Sequence, residues 1–201
     1  MSAIKQLFGQ TLIYGFSSVI ARVLNFLLVP LYTILFIPSE YAIVSEMYTY
    51  AAFLMIFGSF GMETTFFRFV ESNKYKKLNI FGTAFTFVLA NSILLLFLGI
   101  LFHNKIATII QHISHPEYVL IFLFIISFDL ISIIPFALLR QKNQALKFAV
   151  FKTINIILNI FFNIFFLIIC PFLVEKELLL NFIYLIYDPS ISITYVFISN
   201  L

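Results

Sequence analysis

Charge is what this chain lacks most. Only 10% of its 201 residues are charged, against roughly a quarter in soluble domains. So few polar groups cannot cover a globule in water, and the bilayer is the natural solvent. Tryptophan is absent, so aromatic anchoring at the membrane interfaces falls to the ten tyrosines. A single cysteine, Cys170, excludes an internal disulfide. Glycine numbers six. No Walker loop, GxSxG, HExxH or CxxC motif occurs, so ATP-driven transport within the chain and enzymatic catalysis have no supporting pattern. No cofactor is implied. The net charge of +3 is too small to suggest nucleic acid as a partner.

Against these absences stand 62% hydrophobic residues, 28 of the chain's residues being Phe, and a mean hydropathy of +1.07. A membrane span needs about 20 mostly apolar residues. Five segments qualify, at about 7–35, 41–62, 80–102, 118–139 and 146–173, and the stretch from 191 reads as the start of a sixth. The fold class expected is therefore all-α, a polytopic membrane helix bundle of about five to six transmembrane helices. The first apolar segment is too long for the apolar core of a cleaved signal peptide, roughly 7–15 residues, and is read as a retained span.

The loops alternate in charge. Arg68, Lys74, Lys76 and Lys77 fall in 63–79, and Arg140, Lys142, Lys147 and Lys152 around the next-but-one connection. The intervening connections hold Glu40 or only Lys105. The positive-inside rule then places the N-terminus and both basic loops in the cytoplasm. Loop 103–117 holds all three histidines. His112 and His115 stand three apart, but a zinc site needs more ligands than this pair. The expected form is a short interfacial helix broken at Pro116, and no metal is expected.

The polar residues inside the spans are ordered. Gln10, Tyr14, Ser17, Ser18, Arg22, Asn25 and Tyr32 share an arc of roughly 140° on a helical wheel. Lys152, Asn155, Asn159 and Asn163 share an arc of about 80°. Asp129 sits near the centre of the fourth span, at a depth similar to Arg22 and Asn159. A charge in hydrocarbon costs about 2.5–3.5 kcal/mol on insertion scales and most often faces a bundle interior or a watery cavity. The blander alternative is structural: asparagines glue helices together, and Arg22 with Asp129 forms a buried pair. The candidate cavity residues are Tyr14, Arg22, Asn25, Asp129, Lys152, Asn155 and Asn159.

The stretches QTLIYGFSSVIARVLNFLLVPLYT, IPSEYAIVSEMYTYAAFLMIFGSFGMETTFFRF, HPEY, IPFALLRQKNQALKFAVFKTINIILNI and YDPSISITYVFISNL resemble the N-terminal part of bacterial polysaccharide flippases. These belong to the multidrug/oligosaccharidyl-lipid/polysaccharide exporter superfamily. The resemblance implies two six-helix lobes in a V around a central cavity in the bacterial inner membrane. It implies translocation of an isoprenoid diphosphate-linked glycan for export of a polysaccharide such as lipopolysaccharide. It also implies a cavity arginine in the first helix, matched here by Arg22. Residues 1–201 then read as one incomplete N-terminal transmembrane lobe, with a second lobe or partner chain expected to complete the pathway. The alternatives are a cation-coupled multidrug extruder, in which Asp129 or Glu46 titrates, and an inactive truncated fragment.

Overall fold

The structure, a computed structural model, describes residues 12, 15–16, 19–20, 23–72, 77–176, 183, 186–188 and 191–201. Among the described residues every regular element is helical. In chain order they are α1 (Leu28–Leu35), α2 (Pro38–Ser59), α3 (Met62–Glu71), α4 (Lys77–Ile109), α5 (Glu117–Gln141) and α6 (Ala145–Ile164). A π-helical turn, Phe165–Ile169, joins α6 to α7 (Cys170–Glu175), and α8 covers Ser192–Ile198. Four stretches are long and apolar enough to cross a membrane: Pro38–Glu71, Asn79–Ile109, Glu117–Gln141 and Ala145–Glu175. They correspond to the second to fifth expected spans. A shorter apolar helix, Val23–Leu35, precedes them. The rest of the expected first span lies for the most part outside the described residues, and α8 stands where a sixth span was expected to begin.

The helix ends have local causes. Phe36 is extended, and α2 opens on Pro38, whose fixed φ and missing N–H suit a first helical position. The Ile37 amide donates to Glu40 Oε2 at 3.1 Å, which satisfies one of the orphan donors of the helix start. Phe60 and Gly61 both have positive φ, 47° and 63°, and separate α2 from α3. The sequence places a basic loop from residue 63, yet α3 forms there because Phe66 and Val70, four apart, are both buried. The expected loop 103–117 is likewise shorter than foreseen. Helix α4 runs on to Ile109 because Ile106, Ala107 and Ile110 pack with Val119 and Leu123 of α5. Asn143, at φ 55°, turns the chain after α5, a conformation Asn tolerates at a helix end.

The chain divides into two compact units, one formed by residues 1–45 and 149–201, the other by 46–148. In the second, α5 carries the core: Leu130, Ile134 and Ala137 are wholly buried. Hydrocarbon solvent provides no hydrophobic drive between helices, so close approach and interhelical hydrogen bonds hold them. Ser92 Oγ donates to the Ser127 carbonyl at 2.9 Å, and the Asn91 amide donates to the Gly58 carbonyl. Arg140, in the last turn of α5, pairs with Glu63 and lies over the rings of Phe67 and Phe148. Gly99 of α4 and Gly58 of α2 leave space that Leu123 and Leu130 of α5 fill.

A side chain at Gly99 would collide with Leu123. Gly99→Val is therefore expected to cost about 1–3 kcal/mol through overpacking, read as a lower melting temperature in detergent. Gly82→Val in the same helix, where nothing lies within 4 Å of an added Cβ, is the matched control and should melt close to the unaltered protein.

Candidate functional site

The polar stripe of α6 falls into two parts. Asn163, with 0% exposure, and Asn159, with 8%, are buried. Asn155 and Lys152, two and three turns earlier than Asn163, are exposed. The difference follows from what stands opposite each residue. Asn163 Oδ1 accepts from the Tyr32 hydroxyl of α1 at 2.8 Å. Its amide nitrogen donates to the Asn159 carbonyl at 2.9 Å and to Asn159 Oδ1 at 3.3 Å. Asn159 in turn donates to the Ser199 carbonyl at 3.2 Å and to Asn200 Oδ1 at 2.6 Å. Thus α1, α6 and the end of α8 are tied by one continuous chain of hydrogen bonds. In a low-dielectric interior such a chain holds its members in fixed orientation, because a broken link leaves a desolvated amide.

A second polar anchor closes the same unit. The Asp188 amide donates to the Tyr195 hydroxyl at 2.7 Å. Phe166, within the π-helical turn, stacks on the Tyr195 ring at 4.7 Å, and Tyr187 stacks on it at 5.1 Å. Burial, with Cys170, Tyr195 and Asp188 nearby, pushes the Tyr187 phenol above its usual range, so it acts as a neutral aromatic. The π turn is one residue wider than an α turn and comes two residues after Asn163.

The expected cavity residues are distributed as follows. Asn25 is exposed on the apolar helix before α2, and Lys152 and Asn155 are exposed on α6. Asn159 is buried and engaged. Asp129 is exposed on α5, in the other compact unit. Tyr14 and Arg22 lie outside the described residues, and with them the expected Arg22–Asp129 pairing. The structure therefore brings Asn159 together with Tyr32, Asn163, Ser199 and Asn200. Ser199 and Asn200 were missed by sequence reasoning, since they lie 40 and 41 residues from Asn159.

The histidines belong to a different arrangement. His112 Nε2 lies 3.3 Å from Glu46 Oε2, and the Tyr50 hydroxyl donates to Glu46 Oε1 at 2.7 Å. His115 contacts Glu117 at 2.8 Å and stacks on Tyr118. His112 and His115 thus each take a carboxylate of their own. Among the described residues no group of three or more His, Cys, Asp or Glu could hold a metal ion.

Replacing Asn163 by Leu is expected to remove the hydrogen bonds its carboxamide makes with Tyr32 and Asn159, at a cost of about 1–3 kcal/mol. Asn155→Leu, at an exposed position on the same helix, should leave stability nearly unchanged. Thermal unfolding of the two variants side by side in detergent checks this.

Comparison of the chain with protein-family models, with curated proteins and with solved structures returns no match.

Proposed function

We propose that this chain is a transport module of the bacterial inner membrane that binds an isoprenoid diphosphate-linked oligosaccharide on its way across the bilayer. The observation that carries the reading is the polar exposure on two apolar helices of one compact unit: Asn25 on the first, Lys152 and Asn155 on α6. Polar side chains on membrane helices face protein or a water-filled cavity rather than lipid. These three are exposed beside a bond, Tyr32 to Asn163, that fixes the register of their helices.

The spacing supports a common depth. Asn25 stands seven residues before Tyr32, and Asn155 eight before Asn163. The alternation of basic loops has the two helices run in the same direction. Both carboxamides then sit about 10–12 Å back from the Tyr32–Asn163 bond, at 1.5 Å per residue. Arg22 precedes Asn25 by three residues, as Lys152 precedes Asn155. In this reading the two basic residues attract the diphosphate, for which a guanidinium offers a forked donor and an ammonium a point charge. The amides and Tyr14 hydrogen-bond to sugar hydroxyls. Asn163 and Asn159 serve as the frame rather than the site. A second lobe or partner chain completes the pathway, because alternating access needs two bodies that rock about a site.

Binding of an isoprenoid diphosphate-linked oligosaccharide to the purified chain in nanodiscs tests the proposal. Arg22→Ala and Lys152→Ala are each expected to weaken binding at least about tenfold, equivalent to roughly 1.4 kcal/mol, with melting temperature unchanged. Unaltered affinity in the double variant would sink the assignment.

A further inference from the structure

We infer that the unit formed by residues 46–148 holds a second binding site, one that takes a hydrocarbon tail bearing an ammonium head. The inference is independent of the proposed function, since none of the residues that bind the glycan there belongs to this unit. Its basis is a cavity of about 340 Å³ between α2, α4 and α5. The lining is entirely apolar, with Phe53, Phe57 and Phe122 among the walls and Met47 near one end. Pockets of this size accept small ligands, and a thioether wall adapts to irregular chains. An apolar lining without a single polar atom recognises a tail and gives it no orientation.

Orientation comes from the rim. Tyr50 belongs to both parts: its ring lines the cavity and its hydroxyl donates to Glu46. Glu46 precedes Met47, and His112 follows the lining residue Ile110 by two positions. The Glu46 side chain is 41% exposed, the His112 side chain 14%. An acceptor that remains open to a ligand is thus held by a residue of the cavity wall. Its complement is a cation, and aromatic faces in the walls add cation–π attraction for an ammonium. A carboxylate head, or a phosphate with no cation beside it, would meet like charge.

His112 is the other neighbour of Glu46, its Nε2 lying 3.3 Å from Oε2. His115 is engaged with Glu117 instead, and Lys105 of α4 lies over Phe102 of its own helix. An ammonium head at Glu46 therefore shares the carboxylate with His112.

The test is equilibrium binding of radiolabelled dodecyltrimethylammonium to the purified full chain in phosphatidylglycerol nanodiscs. Saturable binding is expected, weakened at least about tenfold by Glu46→Gln, which keeps shape and removes charge. Ala51→Phe, which fills the cavity, should abolish binding while Glu46→Gln remains monodisperse. Adding phosphatidylethanolamine separates two sources of the same chemistry: competition assigns the site to a lipid headgroup, and its absence to a soluble amphiphile. Equal affinity in Glu46→Gln, or equal competition by dodecanoate, would overturn the inference.

Discussion

The carboxamide of Asn163 has no water to turn to, and much of one compact unit is arranged around that fact. It is wholly buried on an apolar helix, so each of its hydrogen-bonding atoms must find protein. The oxygen takes the Tyr32 hydroxyl, and the nitrogen takes Asn159. Asn159 passes the demand on to Ser199 and Asn200. Tyr32 and the Ser199–Asn200 pair come from segments distant from α6 in the chain, so the requirement of one amide fixes which segments meet and at what height. Apolar contacts alone could not do this, because Leu and Phe pack against lipid tails nearly as well as against one another.

The other unit solves the same problem with less polarity. Gly58 and Gly99 let α5 approach. Ser92 and Asn91 then reach backbone carbonyls of neighbouring helices. Two charged contacts lie beside the two ends of α5, where Arg140 meets Glu63 and His112 meets Glu46. The two units thus use different specificity devices within the same solvent: a chain of side-chain amides in one, small residues and single hydroxyls in the other.

Four long helices were legible in the sequence because hydropathy over a span length is a strong signal. Their ends were less so. The start of α2 depends on Pro38 and the Glu40 carboxylate, and the extension of α4 on three apolar residues inside a stretch rich in His, Asn and Lys. A window average hides both. The helical wheel put Asn159, Asn155 and Lys152 on one face, of which Asn159 is buried and the other two are exposed. A wheel records angle and not height, so it cannot tell where along a face a neighbouring segment stands. Glu46 and His112 are 66 residues apart, and no spacing rule joins them. The contact between them emerges only once α2 and the turn after α4 are brought together.

Helix α4 has a consequence of its own. Its 33 residues extend about 50 Å, well beyond the roughly 30 Å of hydrocarbon in a bilayer. The apolar stretch Ile80–Phe102 matches that thickness, with Asn79 at one boundary and His103, Asn104 and Lys105 at the other. Sliding the helix one turn in either direction would drag an amide or an ammonium into oil. Helix α4 is therefore a depth gauge for its unit. In a bilayer centred on that stretch, the turn with His112 stands outside the hydrocarbon.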